Sequence, residues 1–329
     1  LANFAEKVLM KKLLVLVLCT LLFSASLNAQ SVRSFGTAQP NGFDYNPSTI
    51  KILSWNVEHF VDEFDDPYVN NGRENNPNPQ MDGKEALLAE AIKKADADIV
   101  VLQEFESSSY LQRIADKHFP EMGYRFFAGN ESDTWYMNVV VMSKVPLGTL
   151  YSYGSLYTPV PSITTEEGEL ETQINLNTRM WSVDVLANAN YEFVLTGVHL
   201  KAGRSERDVQ MRLGQINFLK GQFSRFLKED KKTNIVMMGD FNSLPESIEM
   251  EVLLAGKRGN KFFDPIPNNV FSHSSKIPTR RLDYMIFNTN MMKEVVACSA
   301  KVEYILTVQD MVKLSDHLPI ISLIETADK

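Results

Sequence analysis

Nine short runs rich in Val, Ile, Leu, Phe and Tyr recur along the chain, each bounded by polar punctuation, and they constrain the fold more than any other feature. They read "TIKILSW", "ADIVVLQ", "YRFFAG", "MNVVVMS", "YEFVLTGVHL", "TNIVMMG", "RLDYMIF", "CSAKVEYIL" and "PIISLIE". Two stretches between them carry helical spacing. "DGKEALLAEAIKKA" puts Leu87, Leu88, Ala91 and Ile92 on one face, and "RSERDVQMRLGQINFLKGQFSRFLKED" carries Val209, Leu213, Ile216 and Leu219 at spacings of four, three and three. The second is the longest expected helix. Strands interleaved with helices, without a break in composition or an internal repeat, predict one α/β domain rather than two. At 329 residues such a domain buries a sizeable core. Segments 61–82 and 151–178, rich in Asn, Pro, Gly and acids, read as long surface loops.

The first thirty residues stand apart from that core. From Met10, Lys11 and Lys12 lead into an apolar stretch from Leu13 to Phe23, which relaxes into small and polar residues up to Ala29. This is the pattern of a secretory signal peptide, cleaved after Ala29, and the apolar stretch is shorter than the roughly 20 residues of a spanning helix. The expected layout is therefore a leader at 1–29 with translation starting at Met10, a loose mature N-terminus at 30–48, and the folded α/β domain at 49–329. An exported protein, periplasmic or extracellular, with no stable membrane association after cleavage, follows from that reading. Loss of the leader removes Lys7, Lys11, Lys12 and Glu6 and takes the formal charge from −8 to −10. Such an acidic chain disfavours a broad, sequence-blind grip on a polyanion unless a local basic groove or bound cations offset it. Only Cys298 survives cleavage, which leaves no intrachain disulfide, and within "EVVACSAKVEYI" it reads as a buried, inert thiol on a strand.

Polar groups repeatedly appear where strands stop. Asn56 and Glu58 follow "IKILSW", Glu104 follows "DIVVLQ", and His199 follows "EFVLTGV". Asp240 and Asn242 follow "NIVMMG", and Asp316 and His317 precede "LPIISLI". Loops at strand ends are where α/β folds build ligand sites, because rigid strands aim side chains that remain open to solvent. Carboxylates gathered there repel one another unless a cation or a shared proton intervenes. With one cysteine and few histidines the ligand set is oxygen-rich, which points to Mg²⁺, with Mn²⁺ or Ca²⁺ as alternatives, rather than to structural zinc.

Six ordered segments, "ILSWNVE", "ADIVVLQEFE", "VHLKAG", "GDFNSLP", "RLDYMIF" and "SDHLPI", resemble the motifs of the endonuclease/exonuclease/phosphatase superfamily, also called DNase I-like. The resemblance covers about residues 50–325 and implies a four-layer α/β sandwich, with two central mixed β-sheets flanked by helices and an active site at one rim. It implies that Glu104 is the principal metal-ligating carboxylate, with Asn56 beside it at the metal and phosphate, and that Asp316 contributes to the metal directly or through water. Asp240 is then the acid that positions or deprotonates water, and Asn242 an amide that steadies the phosphate. His317, held by Asp283, is an imidazole near the scissile phosphate, and His199 is a phosphate contact. A phosphodiester repels hydroxide, so a cation that neutralises developing charge and a base for the water are both required. Whether Asp240 or His317 takes that proton stays open.

The expected activity is metal-dependent hydrolysis of nucleic-acid phosphodiesters by a monomer. The alternatives are a small phosphate ester or phospholipid headgroup as substrate, and a binding module that has lost turnover. Several residues keep a bland reading at this point. Asp283 could simply pair with Arg281, Glu58 could assist a metal-bound water or face solvent, and Lys201 and Arg212 could meet phosphate or be ordinary helix and surface charges. Trp135 and Tyr136 read as core or loop packing rather than groove residues, and His59, His118 and His273 show no partner pattern.

Overall fold

The computed structural model describes residues 45–77, 79–132, 134–153, 157–173 and 180–329. The expected leader at 1–29, and all but the last four residues of the 30–48 segment, lie outside the described residues. In chain order the elements begin with β1 (Thr49–Phe60), α1 (Met81–Ala95), β2 (Ile99–Phe105), α2 (Ser108–His118), β3 (Phe126–Gly129) and β4 (Asn138–Ser143). They continue with β5 (Leu147–Ser152), β6 (Thr158–Thr164), β7 (Leu170–Gln173), β8 (Met180–Asn188), β9 (Tyr191–His199), α3 (Glu206–Glu229) and β10 (Ile235–Asp240). The chain closes with α4 (Ile248–Leu254), β11 (Phe262–Phe263), β12 (Asp283–Asn288), β13 (Lys301–Val302), α5 (Val308–Leu314) and β14 (Ile320–Glu325).

Two six-stranded sheets result, in the orders β13-β14-β1-β2-β4-β3 and β11-β12-β10-β9-β8-β5. Both are mixed, since β1 runs parallel to β2 but antiparallel to β14, and β10 runs parallel to β9 but antiparallel to β12. Successive side chains of a strand point to opposite faces, so each central strand divides its apolar residues between two cores. Ile50, Ile52, Val101 and Val141 of the first sheet pack against Val183, Leu195, Val236, Met238 and Met285 of the second. The alternate residues Leu53, Trp55, Val100 and Leu102 pack outward with Leu88, Ile92, Ile114 and Met311 of the covering helices α1, α2 and α5. The four-layer arrangement expected from the motifs is the one observed.

Several local expectations need correction. The run around Cys298 supplies only the two-residue β13, and Cys298 is exposed at a positive φ of 58° rather than buried on a strand. The 151–178 segment holds the paired strands β6 and β7. That hairpin lies against α3, where a Cβ on Gly214 would stand 2.4 Å from the Pro159 carbonyl oxygen. Helix α3 begins at a capping box between Ser205 and Asp208, but Val209 and Leu213 are only half-buried. Its buried face instead includes Arg212, Ile216, Leu219 and Phe223. A buried arginine is tolerable because its Nε donates to Glu249 Oε1 at 2.8 Å and its Nη1 to the carbonyls of Lys201 and Gly203, both at 2.8 Å.

Strand β8 escaped the apolar pattern because Ser182 and Asp184 interrupt it. Both are buried, and each accepts from a tyrosine hydroxyl, Ser182 Oγ from Tyr153 at 2.9 Å and Asp184 Oδ2 from Tyr151 at 3.3 Å. Helices α2, α4 and α5 are too short for periodicity to reveal. Their caps Ser107, Ser247 and Thr307, each accepting from a backbone N–H three residues on, were the available signal. No described helix is long and apolar enough to cross a membrane.

Candidate active site

The inner face of each sheet changes from apolar to polar at one rim, and period-two alternation selects which side chains arrive there. In β1, Ile50, Ile52, Ser54 and Asn56 share the inner face; in β10, Val236, Met238 and Asp240 do so. Ladder register places His199 and Asp283 on either side of Asp240, opposite it in β9 and β12. Three functional groups thus form one row across the second sheet, and Asn56 closes the gap from the first. Its Nδ2 donates to Asp240 Oδ2 at 3.1 Å and to Glu104 Oε1 at 3.1 Å, while its Oδ1 accepts the Glu58 backbone N–H at 3.0 Å.

Glu104 does not follow the alternation. Its neighbour Gln103 shares the inner face with Val101, so regular pleating would turn Glu104 toward the helices. A bulge between Gln103 and Phe105, with Glu104 at φ 58°, re-aims the carboxylate into the rim. Glu58, His59 and Asn242 also carry positive φ, so four of the eight such non-glycine residues among those described border this one site. Gly239 has φ 142°, and a Cβ there would stand 1.9 Å from the Val198 carbonyl oxygen, so the turn into Asp240 requires glycine.

Asp240, Asp283 and His317 form the buried part of the site. Asp283 Oδ2 takes the His317 Nδ1 proton at 2.8 Å and the Ser272 hydroxyl at 2.6 Å, and His317 Nε2 faces Asp240 Oδ2 at 3.9 Å. Burial pulls the His317 imidazole down, but the charge and hydrogen bond of Asp283, with Asp240 and Asp316 beyond, outweigh it and raise the group to about 10. Burial pushes Asp240 up to about 7 in spite of His317 and the Asn242 backbone N–H, which donates to Asp240 Oδ1 at 2.8 Å. Asn242 Nδ2 is committed to the Leu200 carbonyl at 3.1 Å. His199 Nε2 lies 3.8 Å from Glu104 Oε1 and 3.7 Å from Asp240 Oδ2. Asp283 therefore pairs with His317 and not with Arg281, whose guanidinium binds the Asp264 carboxylate.

The loop carrying Asp316 and His317 is tied to β1. Ser315 Oγ donates to the Asn56 carbonyl at 2.6 Å and accepts the His317 backbone N–H at 2.9 Å, and Trp55 Nε1 donates to the His317 carbonyl at 2.9 Å. Asp316 accepts from His273 Nε2 at 3.1 Å, and its backbone N–H donates to Glu58 Oε2 at 3.1 Å. Because Arg280 Nε donates to His273 Nδ1 at 3.1 Å, the Nε2 of His273 carries the proton that Asp316 receives.

The rim fits a hard divalent cation. Burial raises Glu104, but His199, His59 and the Asn56 amide outweigh it and hold the carboxylate below its ordinary range. Asp316 is likewise raised by burial and lowered further by His273 and His317. Among the described residues, two compact sets of ligand atoms are His273, Asp316 and His317, and Asp240, Asp283 and His317, each within 4.8 Å. Neither contains Glu104. The second set is buried and its His317 is already bonded to Asp283, whereas the Glu104 side chain keeps 15% of its surface open. A cation that retains water needs that open side, which favours the Glu104, Asn56, Glu58 and Asp316 region.

Three residues without a visible pattern in sequence join the site. His59 donates its backbone N–H to Glu104 Oε2 at 3.1 Å, and its Nδ1 bonds the Tyr136 hydroxyl at 3.0 Å. His273 holds Asp316, and Lys84, whose Nζ donates to the Glu58 carbonyl, lies in the field of Glu58, Glu104 and Asp316. Their signal was nearness in sequence to Glu58 for His59 alone. His118 bonds Glu85 away from the rim, at 2.5 Å, and Lys201 pairs with Asp208 at 2.9 Å. Tyr136 is buried against Val61 and Val69, with half-buried Trp135 tilted beside it at 5.5 Å, in agreement with a packing role.

Comparison with known proteins bears on this arrangement. No curated protein matches the chain. Among solved structures, Danio rerio TDP2 complexed with a single-strand DNA product superposes with a TM-score of 0.55 at 16% identity, over 84% of this chain and 99% of that one. An AP endonuclease from Archaeoglobus fulgidus gives 0.55 at 15%, over 84% and 99%. An endonuclease/exonuclease/phosphatase from Beutenbergia cavernae gives 0.54 at 18%, over 85% and 72%. These likenesses establish the shared fold. The model of the Endonuclease/Exonuclease/phosphatase family matches residues 53–317, from the strand that delivers Asn56 to the histidine held by Asp283, and the chain belongs to that family.

Proposed function

We propose that this phosphoric ester hydrolase is an exported, Mg²⁺-dependent phosphodiesterase that cleaves nucleic-acid phosphodiesters by attack of water. The observation that carries the reading is the convergence of Asn56, Glu104, Asp240 and the His317–Asp283 pair from both sheets on one rim. Glu104, with Asn56, Glu58 and Asp316 around it, would hold the cation, which supplies charge neutralisation on the phosphate oxygens. Asn56 Nδ2 donates one hydrogen to Glu104 and the other to Asp240, and so steers both carboxylates.

The protonation states divide the remaining work. His317, raised to about 10, is a cation at neutral pH and suits stabilisation of an anionic phosphorus centre. Asp240, raised to about 7, is poised to take a proton from water near physiological pH. Asp283 fixes the ring so that Nε2 faces the reacting side. His199 Nε2 stands between Glu104 and Asp240, at 3.8 and 3.7 Å, and Asn242 orients Asp240 through its backbone N–H.

Purified mature protein with Mg²⁺ is expected to release nucleotides or fragments from single- or double-stranded DNA or RNA. Asp240→Asn is expected to lower that rate about a thousandfold with an unchanged circular dichroism spectrum. Intact DNA and RNA across a pH series would remove the nuclease reading. Export rests on the Met10–Ala29 pattern, and is tested by N-terminal sequencing of the protein from fractionated cells, where a chain starting at Met10 would refute it.

A further inference from the structure

Beside the rim lies a cavity of about 650 Å³, within the size range of roughly 300–1,000 Å³ of small-molecule sites. The end of β1 forms one wall through Glu58 and His59, the same residues that contact Asp316 and Glu104. Helix α1 forms the floor with Met81, Lys84 and Leu87, and Arg73 and Lys313 approach from the 61–80 loop and the last turn of α5. Three cations, Arg73, Lys84 and Lys313, line the cavity beside the Glu58 carboxylate, with Glu104 and Asp316 acting on Lys84 from the rim. In an acidic chain such a gathering of cations is the place where an anion finds partners.

The cations are placed for a ligand, not only for the fold. Arg73 reaches the Tyr136 hydroxyl, which bonds His59 Nδ1 at 3.0 Å, so its guanidinium is held one link from the residue that touches Glu104. Lys313 lines the cavity, and its exposed ammonium pairs with Asp310 at 3.0 Å, a solvent-facing contact of the weak kind that a phosphate can displace. Met81 and Leu87 supply an apolar surface for a ring or sugar face beneath the charged groups. A volume of about 650 Å³ fits one sugar or nucleotide unit with its phosphate, as at the end of a substrate.

Resting on the phosphodiesterase reading above, we propose that this cavity binds a terminal group carrying a second phosphate, making the preferred substrate a phosphate ester that bears another phosphate near the scissile one. Arg73 and Lys313 bind that second phosphate, and Lys84 lines the passage to the metal region. The chemistry is shared by a phosphorylated nucleic-acid end and by a small sugar phosphodiester that carries a second phosphate.

The test compares paired compounds on the mature protein with Mg²⁺. One pair is a dinucleotide with and without a terminal phosphate; the other is the methyl phosphodiester of a hexose phosphate with and without a second phosphate. Wild type is expected to favour the doubly phosphorylated member of one pair by about tenfold in kcat/KM, and Arg73→Gln with Lys313→Gln to shrink that ratio to about twofold or less. The pair that shows the preference identifies the source of the ligand. No preference in either pair, or a preference that survives in the double variant, overturns the proposal. Should no ester be cleaved, the phosphodiesterase reading falls by itself, and calorimetric binding of a nucleoside bisphosphate against the monophosphate decides the pocket. A preference of about tenfold that the double variant loses supports it there, and equal affinities overturn it.

Discussion

Replacing Asp283 by Asn keeps the shape of the group that holds His317 but removes its charge. In the native arrangement Asp283 Oδ2 lies 2.8 Å from His317 Nδ1, both side chains are buried, and the imidazole is raised to about 10. Relative to an ordinary imidazole near 6.5, that rise corresponds to roughly 5 kcal/mol of preference for the charged ring. Without the charge, burial is opposed only by Asp240 and Asp316, so His317 falls far toward the ordinary imidazole range and loses most of its charge at pH 7.5. A group whose folded value is raised stabilises the fold fully below the unfolded value and loses that contribution as pH rises through the folded one. Wild type should therefore lose stability between about pH 6.5 and pH 10 through this pair, and the variant should lack that slope. The assay is NMR titration of the histidine ring protons in EDTA-treated protein, with urea unfolding at matched pH values. A His317 that titrates near 6.5 in wild type, or still above pH 8 in the variant, would refute the reasoning. The rate at pH 7.5 is expected to fall about a hundredfold, since the charged ring is lost.

Glu104→Gln keeps the hydrogen bond from Asn56 but removes one of the three carboxylate charges around the cation, so the Mg²⁺ concentration for half-maximal activity should rise more than about tenfold, and an unchanged metal titration would take Glu104 out of the metal site. Gly239→Ala places a methyl group 1.9 Å from the Val198 carbonyl at φ 142°, and should cost about 3 kcal/mol or more, lowering Tm by roughly 5 °C. A shift within about 1 °C in that scan would show that β9 and β10 separate without penalty. Ser315→Ala strips a partner from both the Asn56 carbonyl and the His317 N–H, at a cost of about 1–3 kcal/mol, read by urea unfolding; no loss would mean that water replaces the hydroxyl.

Most of the site was legible because alternation along a strand is arithmetic. Once Ile50 and Ile52, or Val236 and Met238, are recognised as core, Asn56 and Asp240 follow on the same face. The ordered motifs did the rest by bringing separate strand ends into one family pattern. What stayed hidden depends on partners set by tertiary structure. His273 meets Asp316 across 43 residues and His59 meets Tyr136 across 77, distances over which no local pattern operates. Arg212 was hidden for the same reason, its partner Glu249 lying 37 residues away, and Ser182 and Asp184 disguised β8 because buried hydroxyl networks look polar in sequence.

The two kinds of departure from regular pattern serve different ends. Buried polar groups in the middle of the second sheet are paired and leave its geometry ordinary, whereas the positive-φ residues Glu58, His59, Glu104 and Asn242 collect where the sheets end. A left-handed residue with a side chain costs about 1–2 kcal/mol, a burden tolerated where the alternative would aim a functional group elsewhere. Glu104 shows the need, since regular pleating would bury its carboxylate under helices α1 and α2. The spacing of the sheets makes the re-aiming effective. Gly197, two residues before His199 on the same inner face, leaves room for Trp181, and a Cβ there would stand 2.8 Å from that ring and 3.0 Å from Val139 of the opposite sheet. That close approach lets an amide on one sheet hydrogen-bond an acid on the other, so the dimensions of the core, and not the loops alone, determine whether Asn56, Glu104 and Asp240 can act on one phosphate.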